Sequence, residues 1–173
     1  MASPSTSSDL FSLLGLTPSY EIDRAALEAA YHERSREVHP DRFAQAPASV
    51  RVAALSKARA LNDAYKTLRD ARQRAEYLLS RAGVTIGDNE RMEPELLMDL
   101  FEQREQLAAA RQAGRTAEVE SLQKAMQNKR KAIIARLSEL FASENFADAK
   151  KQLIVLRYLD RYLEECEAAL EDS

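Results

Sequence analysis

Helix breakers are scarce in this 173-residue chain, and where they fall decides what it can fold into. Four glycines and five prolines are too few to punctuate many short strands. They stand instead between long stretches in which apolar residues recur every three or four positions, the spacing of one face of a helix. With 45% apolar and 31% charged residues, such stretches can bury one face and solvate the other. The expected fold is all-α.

Asp9 is a candidate N-cap for a short helix ending near Leu14, with Gly15 suited to the left-handed position that follows. Thr17-Pro18-Ser19 breaks the chain, and Asp23 caps a second helix on which Leu27, Tyr31 and Val38 share a face. A loop over 40–48, marked by Pro40 and Pro47, leads to a third helix. There Val52, Leu55, Ala58, Leu61, Tyr65 and Leu68 recur at three- and four-residue steps. Helices two and three should lie antiparallel, with helix one over the open side. A fourth helix over 71–82 carries Ala75, Tyr77, Leu78 and Leu79.

Residues 83–93 hold Gly83, Gly87, Asp88 and Asn89 ahead of Pro94, a residue suited to the first turn of a helix. The domain boundary is expected there, with 9–82 as one domain, 83–93 as linker and 94–173 as the other; residues 1–8 are expected to be a disordered start. The second domain divides at Gly114 and Asn145 into helices over 94–112, 116–143 and 146–171. Their stripes are Leu96, Leu100 and Leu107; Val119, Leu122, Met126, Ile133, Leu137 and Leu140; and Leu153, Leu156, Leu163, Cys166 and Leu170. An antiparallel three-helix bundle follows.

His39-Pro40-Asp41 ends the second helix, because proline keeps the residue before it out of helical geometry. The partial negative charge of the helix end favours a protonated or donating imidazole at His39. Asp41 then stands in an exposed loop as an acceptor that an arginine on a partner could grip with two hydrogen bonds. Taken alone, the tripeptide is also consistent with a simple helix stop.

Its surroundings go further. Phe11-Ser12-Leu13-Leu14-Gly15-Leu16, Tyr20-Glu21-Ile22-Asp23, His39-Pro40-Asp41-Arg42-Phe43, Leu61-Asn62-Asp63-Ala64-Tyr65-Lys66-Thr67-Leu68 and Arg74-Ala75-Glu76-Tyr77-Leu78-Leu79 together resemble a J-domain. They look like the HscB type of J-protein, called Jac in mitochondria. Leu97-Met98-Asp99-Leu100-Phe101-Glu102-Gln103-Arg104-Glu105 and Leu156-Arg157-Tyr158-Leu159-Asp160 extend the resemblance into the second domain.

The resemblance implies a J-domain that recruits a DnaK-type, HscA-like chaperone through His39, Pro40 and Asp41 and stimulates its ATPase. It also implies a C-terminal three-helix domain that binds the IscU-type scaffold of iron-sulfur cluster assembly. Arg34 departs from the family, which usually has a leucine facing helix three; either that core is thinner or Arg34 snorkels past it. With five acids against four arginines over 23–42, helix two is also less basic than usual for the chaperone-facing side. Arg36, Arg42 and helix three are the expected basic contributors.

On the helix starting at Pro94, the stripe leaves Leu97, Met98, Phe101, Glu102 and Glu105 on an adjoining face. These residues either widen the core or form an adaptable apolar patch with an acidic rim. Val155, Tyr158 and Tyr162 lie similarly beside the stripe of the last helix, and antiparallel packing would let Tyr158 join Phe101. By resemblance, Leu97, Met98, Phe101, Glu102, Glu105 and Tyr158 are the scaffold-binding set.

Several function classes are disfavoured. A net charge of −3 is unlike a general nucleic-acid binder, and no apolar run approaches a membrane span. Charge is uneven, however: 48–82 carries eight Lys/Arg against three acids, and 88–120 nine acids against four arginines. Either these are solvated faces or they meet partners of different character. His32, His39, Asp41 and Cys166 are the only material for chemistry, and they lack zinc-type spacing, while a phosphate-cradling glycine loop is missing. One cysteine cannot hold an iron-sulfur cluster. The reading is a cofactor-free, non-enzymatic adaptor without a metal, without nucleic-acid or membrane partners, in a bacterial cytoplasm. A J-protein for another client and a self-associating helical protein remain the alternatives.

Overall fold

The computed structural model describes residues 9–172; the expectation for residues 1–8 lies outside them. Seven α-helices are described: α1 Leu10–Leu13, α2 Arg24–Glu37, α3 Ala48–Arg69, α4 Ala71–Arg81, α5 Pro94–Gln112, α6 Thr116–Ala142 and α7 Phe146–Glu171. A 3-10 turn, Pro40–Phe43, sits between α2 and α3. The chain divides into two compact units between Leu78 and Leu79, inside α4.

In the first unit the predicted caps form. The Asp9 carboxylate accepts from the Ser12 N–H at 2.9 Å, and that of Asp23 accepts from Ala25 N–H at 2.8 Å. Gly15 takes φ +67° after α1. Phe11 and Leu14 of α1, Leu27 of α2 and Leu61, Ala64 and Leu68 of α3 form one buried cluster, and Tyr31 stacks on Tyr65 at 4.3 Å. Tyr77 of α4 ties down the start of α1: its hydroxyl donates to Asp9 at 2.6 Å and accepts the Leu10 N–H.

Two of the six residues of the expected α3 stripe are displaced. Val52 and Leu55 are 62% and 56% exposed, while Ala54, Leu61, Ala64 and Leu68 are buried. Three successive three-residue steps separate Val52 from Leu61, and each falls about 60° short of a full turn at 3.6 residues per turn. Val52 therefore lies on the face opposite Leu61.

Arg34 does snorkel. Its guanidinium reaches over Gly15, where an added Cβ would stand 2.9 Å from it, and pairs with Glu37 at 3.7 Å. The carboxyl-terminal part of the unit holds a buried arginine, Arg74. Its Nε and Nη1 each donate at 2.6 Å, to the carbonyls of Tyr20 and Leu68, and its guanidinium lies 5.0 Å from the Tyr20 ring centre. Burial lowers its pKa from the ordinary value.

In the second unit, α5, α6 and α7 form an up-down-up bundle. Arg104 pairs with Glu165 at 2.6 Å and Arg111 pairs with Asp172, a constant offset of 61 residues that makes α5 and α7 parallel. Arg130 of α6 pairs with Asp160 of α7 at 2.7 Å. Leu100, Leu107, Val119, Met126, Leu159, Tyr162 and Cys166 share the core. The segment over 83–93 is tied to α7: the Gly87 carbonyl accepts from Arg157 at 3.0 Å, and Glu90 pairs with Lys150 at 2.9 Å.

Candidate functional site

The structure carries two exposed surfaces, one on each unit. The first is the turn after α2. His39 is extended at φ −60°, ψ 133°, as the following proline requires, and its carbonyl accepts the Arg42 N–H at 3.0 Å. Its Nδ1 accepts the Asp41 N–H at 3.3 Å, so this nitrogen is an acceptor where the helix end suggested a donor. The reason is local. Pro40 has no N–H, which makes that of Asp41 the first donor of the turn, and the imidazole is the nearest acceptor.

Arg42 Nη1 donates to the Arg36 carbonyl at 3.3 Å, satisfying an otherwise free group at the end of α2. The Arg36 side chain, Pro40 and Arg42 are all exposed. The Asp41 side chain is 91% exposed, with its carboxylate 3.6 Å from His39 Nδ1. All five sequence-predicted residues thus gather at one turn. The sequence reading missed the neighbouring apolar face, where Val52 and Leu55 line a groove with Ala58, Arg59 and Asn62 at the start of α3. Their displacement from Leu61, 180° for Val52 and about 120° for Leu55, was the available signal.

The second surface is on α5. Leu100 and Leu107 face the core, which turns Met98 and Phe101 outward at 65% and 58% exposure. Leu97 is half-buried, and Glu102 and Glu105 are exposed beside them. Tyr158 is half-buried against the core, with the Arg104 guanidinium 5.9 Å from its ring centre. Two expectations fail here. Tyr162 is buried, donating its hydroxyl to the Gln103 carbonyl at 3.2 Å, because it belongs to the core stripe of Leu159, Cys166 and Ala169. The geometry that brings Tyr158 toward α5 is parallel rather than antiparallel, as the first and third helices of an up-down-up bundle must be.

Burial raises the Tyr162 hydroxyl to about 12 and the Cys166 thiol to about 11, so both are neutral near pH 7. Glu90 is held below the usual carboxylate range by the Gly87 N–H and Lys150. Among the described residues no group of three or more His, Cys, Asp or Glu converges as metal ligands. Also among them, no helix is long and apolar enough to cross a membrane.

An α2–turn–α3 hairpin braced by a short first helix and presenting His-Pro-Asp defines a J-domain protein, and residues 9–77 match the DnaJ domain. Residues 92–167 match the HSCB C-terminal oligomerisation domain. The chain is 36% identical over 166 residues to the co-chaperone protein HscB homolog of Azoarcus sp., covering 94% of each chain. It is 37% identical over 166 residues to that of Burkholderia multivorans, covering 93% of each. The chaperone HscB from Vibrio cholerae superposes with a TM-score of 0.84 at 30% identity, covering 95% of this chain and 98% of that one. Human co-chaperone protein HscB does so with a TM-score of 0.88 at 29% identity, covering 97% and 85%. The chain belongs to the HscB co-chaperone family.

Proposed function

We propose that the protein is a two-ended adaptor in iron-sulfur cluster assembly. His39, Pro40, Asp41, Arg36 and Arg42 dock on a DnaK-type, HscA-like chaperone and stimulate its ATP hydrolysis. Leu97, Met98, Phe101, Glu102, Glu105 and Tyr158 hold an IscU-type scaffold and deliver it. The observation that carries this reading is the presence of two unlike exposed surfaces on two separately packed units.

The first surface offers a carboxylate that matches a guanidinium and, beside it, apolar area at Val52 and Leu55. The second offers Met and Phe inside an acidic rim, a contact that adapts to an apolar partner surface with basic edges. The two domains are taken as 9–82 and 94–173, with the connecting segment 83–93 bonded to the second through Arg157 and Lys150. The adaptor is not an enzyme and needs no cofactor or metal of its own; it works in the bacterial cytoplasm, without nucleic acid or membrane.

The test is the steady-state ATPase rate of the chaperone with the protein alone, the scaffold alone and both. Stimulation by both beyond the product of the separate effects is expected. Purely independent effects would remove the delivery role.

The description of the matched family over 92–167 as an oligomerisation domain favours a second reading, in which the Met98–Phe101 face joins two copies of the chain. Sedimentation velocity separates the two: a monomer at micromolar concentration leaves the face to the scaffold, whereas a dimer dispersed by Phe101→Ala assigns it to self-association.

A further inference from the structure

The turn that presents Asp41 is held by the residue that precedes it. His39 occupies the N-cap of the 3-10 turn Pro40–Phe43, and its Nδ1 accepts the Asp41 N–H at 3.3 Å. Asn and Asp do the same at helix starts, where a side-chain acceptor satisfies a backbone donor that has no other partner. A ring nitrogen that accepts a hydrogen bond does so through its lone pair, and here that nitrogen is Nδ1. The Asp41 carboxylate takes no part in this cap and stays 91% exposed.

We infer that His39 is a positioning residue: the atom that chaperone stimulation requires is Nδ1, which caps the turn and keeps the Asp41 carboxylate aimed outward at a cationic group of the chaperone. The inference rests on the reading of this turn as the chaperone-docking site. It separates the labour within the tripeptide. Asp41 makes the contact, Pro40 removes a competing donor, and His39 fixes the backbone between them. Without the cap, the binding-competent turn is only fractionally populated and apparent affinity falls by that fraction.

Two substitutions isolate the atom. Asn places its amide oxygen where Nδ1 stands, whereas Gln places its amide group where Nε2 stands. The full chain as wild type, His39→Asn, His39→Gln and Asp41→Asn is titrated into a DnaK-type chaperone, reading the half-maximal concentration and the maximal ATPase rate. The Asp41 amide is followed in the free proteins by its 1H–15N resonance and hydrogen exchange.

His39→Asn is expected to stay within about threefold of wild type in half-maximal concentration, with a protected Asp41 amide. His39→Gln is expected to raise that concentration by about tenfold or more and to expose the amide. Asn as inactive as Gln while the Asp41 amide stays protected would overturn the inference, since the cap would then not be what stimulation requires; Gln outperforming Asn would do the same, since Nε2 would then be the contacting atom. If wild type and Asp41→Asn both leave the ATPase rate unchanged, it is the docking-site reading that fails. Exchange then decides the cap by itself: protection kept in Asn and lost in Gln upholds it, and equal protection in all four proteins overturns it.

Discussion

The turn at Pro40–Phe43 and the flank of α5 both stand in solvent, but backbone geometry shapes the first and side-chain area makes the second. At the turn, three hydrogen bonds within seven residues hold the chain: the Asp41 N–H to His39 Nδ1, the Arg42 N–H to the His39 carbonyl, and Arg42 Nη1 to the Arg36 carbonyl. The reward is direction, one carboxylate aimed outward. On α5 no special backbone is needed, because a regular helix with Leu100 and Leu107 in the core must turn Met98 and Phe101 away. A polar contact is spoiled by a small rotation of its atoms, and an apolar one by loss of area.

The two units differ beneath their surfaces as well. The first has a small apolar cluster stitched at its edge by Arg74, which bonds to two backbone carbonyls. The second relies on three long helices with a continuous apolar seam, and places its ion pairs Arg104–Glu165 and Arg130–Asp160 outside that seam. A buried charged group is costly to orphan, whereas a partly exposed pair contributes little.

The sharpest way to break the contrast is Arg74→Met. Removing the guanidinium leaves the Tyr20 and Leu68 carbonyls without these donors, and a loss of about 3 kcal/mol is expected. Hydrogen exchange read by mass spectrometry should accelerate over residues 9–78; unchanged exchange there would make the arginine a bystander.

Next comes Met98→Ala with Phe101→Ala. Both side chains are mostly exposed, so the melting temperature should hold while calorimetric affinity for an IscU-type scaffold drops about tenfold to a hundredfold, roughly 1.4–2.8 kcal/mol. Leu100→Ala on the same helix should do the reverse, costing about 2–5 kcal/mol of stability. If the exposed pair also lowered the melting temperature, the patch would be core.

The smallest effect is a pH dependence of the second unit. Burial raises Cys166 from 9.0 to about 11 and Tyr162 from 10.0 to about 12, so the folded chain keeps protons that the unfolded chain releases. The stability contribution is therefore complete below pH 9 and is lost as pH rises toward 11 and 12. Unfolding free energies from urea titrations at pH 8 and 10.5 should differ by roughly 1–2 kcal/mol, and Cys166→Ala should flatten part of that slope. A rise in stability over this range would contradict the burial of both groups.

Much of the fold is legible from local chemistry. Asp9 and Asp23 cap, Gly15 takes a positive φ, Pro94 opens α5, and the chain turns near Gly114 and Asn145. Each depends on neighbours within four residues, and the sequence displays all of them. The turn residues His39 to Arg42 are legible for the same reason, although the direction of the His39 hydrogen bond is not.

The readings that failed are those in which a face of a helix had to be chosen. Val52 and Leu55 were placed in the α3 seam and Tyr162 beside the α7 seam, and the structure reverses both placements. Periodicity gives the spacing of a stripe, yet steps of three drift around the helix, and only the position of the packed neighbour says where the buried face begins. Arg74 and Arg34 make the same point, since an arginine is buried or laid over a glycine only when a distant segment brings carbonyls or empty space within reach. The sequence by itself determined the helices, their ends and the tripeptide that interrupts them, because those rest on short-range backbone chemistry. Which apolar side chains became core and which became the exposed surfaces at Val52 and Phe101 was decided by tertiary packing, because burial belongs to pairs of elements and not to one.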